Sequence, residues 1–337
     1  MWLEPSEEQV MLRDTVARFL ADRGEAAAIG AGPMPAADWR AMAELGLLGF
    51  LLPERAGGMG GGSDDAMIVA EALGKGLAIT PLGESVLGAA DLIARYGDDM
   101  VVRRFVAPAM AGEAMLALAI GSAREDAGRI SGTFDFVRWA PQASALVVLD
   151  GDAAHVVALG TEAATLTPRR LADGTPAACV ALRDCENTRI ALPPGAADTA
   201  LATVDLAHAA EMIGAMALLY AHTADYAATR RQFGAAIGTF QAVQHKMARM
   251  FVALEQARSL TIKAAATGRE DAGFVRAARS AKAYVADAAQ FLAEEAVQLH
   301  GGIGVTDELP VGRGLRRVMV LARLFGGAAD ACARLAA

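Results

Sequence analysis

Arg230-Arg231-Gln232-Phe233-Gly234-Ala235-Ala236-Ile237-Gly238-Thr239-Phe240-Gln241 lies within the longest proline-free stretch of the chain, which runs from Pro194 to Pro310. A proline inside a helix costs ~3 kcal/mol, so this is where long helices can run. Apolar spacing agrees. Leu206, Ala209, Ala210, Ile213, Ala217 and Tyr220 recur at steps of three and four. Met247, Met250, Phe251 and Leu254 do the same, as do Ala281, Tyr284, Val285, Ala288, Phe291 and Leu292. The pattern predicts helices at about 200–230, 240–267 and 270–299, and a last one near 310–335. The quoted segment falls between two of them. It gathers two guanidinium groups, two amides, two aromatic rings and two glycines into twelve residues. Arginine forks bind phosphate through charge-assisted hydrogen bonds, and phenylalanine and glutamine suit the edge of an adenine or a flavin. A solvated turn with a helix cap is the other reading of the same residues.

A second cluster, Gln298-Leu299-His300-Gly301-Gly302-Ile303-Gly304-Val305-Thr306, ends the third helix. A plain C-cap accounts for one glycine; three also permit close backbone approach to a ligand. Toward the N-terminus, Pro5-Ser6-Glu7-Glu8-Gln9 places a serine cap before an acidic first turn. Val10, Leu12, Val16, Phe19 and Leu20 continue it as a helical stripe, and Asp38 is placed to cap a second helix through Leu47. Gly57–Gly62 reads as a flexible turn; it lacks the strand, the GxGxxG order and the Lys-Ser/Thr of a nucleotide loop. Residues 64–77 and 83–96 read as two more helices. The middle differs. Arg129–Val137, Ala145–Leu149, His155–Leu159, Ala178–Leu182 and Thr188–Leu192 are short, aliphatic and separated by Gly, Pro and Asp, as antiparallel strands of a small barrel or sandwich are. The order of helices, strands and helices is not the βαβ alternation of a parallel sheet.

Composition bounds the function. The 337 residues are 54% apolar and 21% charged, enough for a large core and enough for two or three units at ~100–200 residues each. Unbroken apolar stretches such as Gly46–Pro53 fall short of the ~18–20 residues of a spanning helix, so no membrane role is expected. The opening Met1-Trp2-Leu3-Glu4-Pro5 carries no basic start or apolar signal core, which argues for a cytoplasmic protein. Cys179, Cys185 and Cys332 form no CxxC or metal spacing and read as reduced thiols, with no metal site. A net charge of −8 excludes a nucleic-acid partner held through phosphates.

The pattern RxQFGxxIxxFQxxxHxxA from Arg230 to Ala248, followed by QxHGGxG from Gln298 to Gly304, resembles the acyl-CoA dehydrogenase family. Glu7-Glu8-Gln9 with Leu12-Arg13 is similar to its first helix; Gly46-Leu47-Leu48-Gly49 through Pro53-Glu54 and Gly57-Gly58 to its second turn; and Pro310 with Arg316-Arg317 to its last helix. The resemblance covers nearly the whole chain. It implies an N-terminal helical domain (1–112), a middle antiparallel β-domain (113–197) and a C-terminal four-helix bundle (198–337). It also implies FAD at a subunit interface. Arg230 and Gln232 would hold the pyrophosphate, and Phe233, Phe240 and Gln241 would line the adenosine half. Gln298 would add an amide contact and Gly302 a close backbone approach. The implied reaction removes the α-proton and β-hydride of an acyl-CoA thioester, with electron-transfer flavoprotein as the family's electron acceptor.

Two departures matter. The family's usual base is a glutamate preceding a glycine after an aromatic residue; here the stretch is Leu324-Phe325-Gly326-Gly327, and Gly326 stands at the glutamate's place. In some relatives the base lies about 26 residues before the arginine, which is Val204 here; Asp205 and Glu211 are the nearby carboxylates. A one-residue offset turns a helical side chain by ~100°. Asp205 also stands where many relatives keep a CoA-binding arginine. The β-domain lacks the family's threonine-glutamate-proline run, Gly121-Ser122 is followed by alanine, and Phe136–Trp139 covers the flavin strand without hydroxyl donors. The losses fall on the subunit's own flavin and substrate site, as in the shorter subunits of heteromeric bacterial dehydrogenases of sterol side chains and dicarboxylic or cyclic acyl-CoAs. Three readings follow: a subunit that binds the ADP half of FAD in trans beside a longer partner, a homomeric enzyme using Glu211 or Asp205, or a non-enzymatic scaffold. Closely spaced alanines (Ala207, Ala209, Ala210; Ala286, Ala288, Ala289) suit tight helix packing in the tetramer that the resemblance implies, homomeric or heteromeric.

Overall fold

The computed structural model describes residues 4–23 and 32–336, so Met1-Trp2-Leu3 lies outside the described residues. The chain forms two compact units, one from its two ends with residues 63–78 and 205–336, the other from residues 32–62 and 79–204. In the first, the expected cap at Ser6 forms. Ser6 Oγ accepts from the Gln9 N–H at 3.2 Å, and the Gln9 side chain accepts from the Ser6 N–H at 3.0 Å, opening α1 (Glu7–Ala21). This reciprocal pair satisfies two donors that a helix start leaves orphaned. α2 (Ala36–Glu44) belongs to the second unit and α3 (Ser63–Lys75) to the first. Gln9 Nε2 also donates to Asp64 Oδ2 at 2.7 Å, tying α1 to the start of α3.

In the second unit, Asp38 does not cap α2. Pro35 holds that position, and Asp38 sits in the first turn, where its charge suits the positive end of the helix. Gly57–Gly62 is no flexible turn. Met59, Gly60 and Gly61 N–H groups donate to the carbonyls of Gly49, Leu52 and Phe50, and a Cβ on Gly58 would lie 2.1 Å from the Leu52 oxygen. The glycines let two backbone segments touch. The helix expected at 83–96 begins as a π-helical segment, Leu82–Ala90, and continues as α4 (Asp91–Tyr96).

Eight strands follow, three more than the sequence pattern suggested: β1 (Leu116–Ile120), β2 (Arg124–Asp126), β3 (Arg129–Arg138), β4 (Ala145–Asp150), β5 (Ala153–Ala158), β6 (Ala164–Arg170), β7 (Pro176–Glu186) and β8 (Thr188–Ala191). They make two four-stranded sheets, ordered β1-β4-β5-β8 and β2-β3-β7-β6. The pairs are antiparallel except β1 with β4, which is parallel, a correction to the all-antiparallel expectation. β1 reads LALAI, without β-branched residues until its end, and β6 contains Pro168, tolerated because β6 is an edge. Ala117, Leu146, Val148 and Val157 of one sheet share a core with Ile130, Phe134, Val180 and Leu182 of the other.

The proline-free stretch holds α5 (Ala196–Thr229), α6 (Gln241–Thr267) and α7 (Phe274–His300), as expected. By length and composition α5 could cross a membrane, beyond what the unbroken apolar runs suggested, but 83% of its apolar window is buried within the protein. The last expected helix is two: α8 (Pro310–Arg323) and α9 (Ala328–Ala336), parted where Phe325 and Gly326 take φ of 55° and 104°. In the first unit, Met212, Met216, Leu219, Met250, Leu254, Val285, Leu292, Val318 and Leu321 form a continuous core. α3 and α5 cross backbone to backbone. A Cβ on Gly74 would lie 2.0 Å from the Glu211 carbonyl oxygen, and one on Gly214 2.0 Å from that of Glu71. Neither backbone can yield without moving its helix. Gly74→Ala or Gly214→Ala should therefore destabilise the protein by at least ~1–3 kcal/mol in urea unfolding. A change within about 0.5 kcal/mol, as for an ordinary surface site, would show that the helices separate freely.

Candidate functional site

The Arg230–Gln241 segment folds as a hairpin and not as an open turn. β9 (Arg231–Gln232) pairs with β10 (Ala235–Ala236) across a two-residue loop. The loop residues Phe233 and Gly234 have φ of 51° and 81°, the primed turn that matches strand twist. Glycine adopts this backbone without cost; phenylalanine does not. Phe233 is nonetheless 93% exposed, its ring edge-on to Phe240 with centroids 6.2 Å apart. The Arg230 N–H donates to Tyr226 O at 2.8 Å, and Arg230 O accepts from the Ile237 N–H at 2.9 Å, so the hairpin springs from the last turn of α5. A Cβ on Gly238 would come within 2.9 Å of the Ala227 oxygen, so glycine allows the hairpin's return to press on that turn. Arg230, Gln232 and Gln241 are exposed. Phe240 precedes α6 without a side-chain cap; Val243 N–H donates to Phe240 O at 3.0 Å, which leaves the Gln241 and Ala242 N–H groups at the helix start placed toward an anion.

Gln298 is exposed on the last turn of α7. Gly301, at φ 68°, ends that helix and donates its N–H to Val297 O. A Cβ on Gly302 would meet nothing within 4 Å, so Gly302 presents open backbone. His300 is 6% exposed and stacks on Tyr226, centroids 4.3 Å apart. This contact brings the two motif segments to one end of the bundle, though 57 residues part Gln241 from Gln298 (298 − 241). A forked cation, three amides, two rings, an uncapped helix start and open glycine backbone form a donor set suited to a dinucleotide's phosphates and base.

The carboxylate candidates sit elsewhere. Glu211 is paired. Arg317 of α8 donates to its Oε1 from Nε at 2.6 Å, and Arg317 is 2% exposed. Asp205 is 2% exposed, one helical step from His208, which the sequence reading missed. Asp205, His208 and Glu211 recur every third residue, a signal visible in the pattern as one helix face. The His208 ring lies parallel to that of Phe325, centroids 6.0 Å apart, beside Gly326. Lys282 of α7, 1% exposed, donates to Leu321 O at 2.6 Å and holds the end of α8. Gly326 carries no acid, and its φ of 104° is one that side chains rarely adopt.

In the second unit, the strand stretch Phe136–Trp139 offers one open group. Phe136 is 65% exposed at φ 53°, on a bulge of β3. Arg138 turns inward to a buried pair with Glu84 of the π-helical segment, and Trp139 is fully buried. Among the described residues no group of His, Cys, Asp and Glu could hold a metal ion. The Cys179 thiol donates to Asp135, whose carboxylate pushes its pKa above the usual thiol range.

Comparison with known proteins matches residues 6–113 to the family model "Acyl-CoA dehydrogenase, N-terminal domain" and residues 195–336 to "Acyl-CoA dehydrogenase, C-terminal domain". The chain is 32% identical over 320 residues to acyl-CoA dehydrogenase IpdE2 of Mycobacterium tuberculosis, covering 91% of this chain and 89% of that protein. Among solved structures it is similar to the Tcur3481–Tcur3483 steroid ACAD G363A variant, with a TM-score of 0.87, 26% identity and coverage of 98% and 97%. It is also similar to the ChsE4–ChsE5 complex from Mycobacterium tuberculosis, with a TM-score of 0.85, 25% identity and coverage of 100% and 98%.

Two outcomes test this geometry. Arg317→Met removes the guanidinium that Glu211 pairs with in the interior and should cost ~3–5 kcal/mol in denaturant unfolding, while Glu211→Leu with Arg317→Met should recover most of it. Asp135→Asn replaces the carboxylate whose hydrogen bond and charge raise the Cys179 pKa, so the thiolate fraction, and with it alkylation of that thiol, should rise.

Proposed function

Because the chain belongs to the acyl-CoA dehydrogenase family, and its relatives named acyl-CoA dehydrogenase are oxidoreductases acting on CH–CH bonds, we propose that it works as the shorter subunit of a heteromeric, FAD-dependent acyl-CoA dehydrogenase. In this reading it binds the ADP half of a cofactor whose flavin ring sits in a longer partner chain. The single observation behind it is an asymmetry. The dinucleotide donor set around Arg230 and Gln298 is assembled and open, while Gly326 offers no carboxylate and Glu211 is held by Arg317. Arg230 and Gln232 would hold the pyrophosphate, Phe233, Phe240 and Gln241 the adenosine half, and Gln298 and Gly302 the far wall. FAD supplies the hydride acceptor. Arg230 contributes a fixed charge, and Phe233 an open ring for stacking.

The comparisons support the assembly by analogy: one neighbour is described as a complex of ChsE4 and ChsE5, another as a steroid ACAD named for two proteins. The substrate class of this reading is accordingly a steroid- or lipid-derived acyl-CoA. The complete enzyme is a cytoplasmic heterotetramer whose electrons pass to an electron-transfer flavoprotein. The homomeric alternative with Asp205 or Glu211 as base has less support. Glu211 is already paired, and Asp205 is 2% exposed.

Purification alone and with the longer partner separates these readings by flavin absorbance. Flavin retained with the partner supports the subunit reading; flavin and turnover by the chain alone would replace it with the homomeric enzyme. Losing a charge-assisted hydrogen bond costs ~1.5–3 kcal/mol, so Arg230→Ala should weaken FAD binding in the assembly roughly ten- to a hundredfold. Asp205→Asn should leave turnover nearly unchanged, against the ~10²–10⁴-fold that a positioned general base contributes.

A further inference from the structure

Between the two halves of the proposed ADP site lies a contact that joins His300 of the second motif to Tyr226, a residue outside both motifs. Tyr226 stands one helical turn before Arg230, and its carbonyl accepts the Arg230 N–H at 2.8 Å. Its ring stacks on His300, with centroids 4.3 Å apart and planes 25° apart. His300 stands between Gln298 and Gly302 and is itself fixed, with Nδ1 2.8 Å from Ala296 O. A carbonyl only accepts, so Nδ1 carries the proton and the ring orientation is set by its own helix. Gly304 completes the seat. A Cβ there would lie 3.0 Å from both the His300 Cβ and the Val297 oxygen, so glycine lets the following turn sit close against the end of α7.

We infer that the Tyr226–His300 stack is the positioning element of this site: it sets the distance between the Arg230 hairpin and the Gln298–Gly302 turn. The inference rests on the reading of that surface as the ADP-half site. The two segments belong to different helices, and the hairpin's own hydrogen bonds are local to residues 226–244. A small displacement of one wall therefore changes the span that a diphosphate and its nucleoside must bridge. Neither ring touches the ligand in this scheme. Each acts through its neighbours, Tyr226 through the Arg230 amide and His300 through the glycine turn.

The test is FAD titration of the chain assembled with its longer partner, followed by flavin fluorescence. Aromatic pairs carry ~0.5–1.5 kcal/mol beyond area burial, so Tyr226→Leu and His300→Asn should each weaken FAD roughly two- to tenfold. His300→Asn keeps a donor toward Ala296 O and loses the ring; His300→Phe keeps the ring and loses the donor. The stack predicts that His300→Phe and Tyr226→Phe retain affinity and that the KM for acyl-CoA stays put throughout. Retained affinity in Tyr226→Leu, or loss in His300→Phe with retention in His300→Asn, would overturn the inference while Arg230→Ala still loses FAD. If Arg230→Ala also binds normally, the ADP-site reading itself fails. If Tyr226→Leu does not fold, the two His300 variants decide alone.

Discussion

The buried pair between Glu211 and Arg317 governs much of the first unit. A guanidinium 2% exposed survives inside a protein only against a fixed carboxylate, and this pair fixes α8 against α5. It also engages Glu211, one of the two carboxylates that the sequence offers on α5. Lys282 adds a second buried cation, on the Leu321 carbonyl in the last turn of α8. Between them α8 ends at a set place, and the turn at Phe325 and Gly326 lies against His208. Rigidity at this turn is thus secured by charge, and Gly326 itself carries no carboxylate.

At the end of the bundle the balance is opposite. The hairpin turn holds a phenylalanine in a left-handed backbone, at a cost of ~1–2 kcal/mol. Its ring then lies 93% exposed and recovers little by burial in the chain itself. A glycine at position 233 would remove the strain; the aromatic ring in its place is consistent with a ligand that covers it. Strain, exposed apolar area and an uncapped helix start coincide within residues 230–241, where a planar, anionic ligand would cover the ring, meet the helix start and so offset the strain.

Close backbone contacts explain several glycines that look alike in the sequence. Gly74 and Gly214 let α3 and α5 touch, Gly58 lets two loop segments pair, and Gly304 accommodates His300. Gly301 and Gly234 serve by positive φ instead, and Gly302 by leaving open space. Only the neighbours in space tell these roles apart.

Periodicity and the proline gap were sufficient for the long helices, because an amphipathic stripe repeats locally and proline excludes itself from helix interiors. The Ser6 cap was legible for the same reason: its partner Gln9 is three residues away. The Arg230–Gln241 and Gln298–Thr306 segments were legible as chemistry, through arginine, amide, aromatic and glycine in short runs. β1 was missed because an alanine–leucine run favours no strand by itself and is held there by a parallel neighbour 29 residues on (145 − 116). Gly57–Gly62 read as flexible because its hydrogen-bond partners lie in the preceding loop. That Glu211 is paired, that His208 meets Phe325, and that Tyr226 joins the two motifs through His300 were decided by tertiary structure alone. Each is a contact between residues 74 to 117 positions apart, whose strength depends on burial and distance, and a linear pattern carries neither.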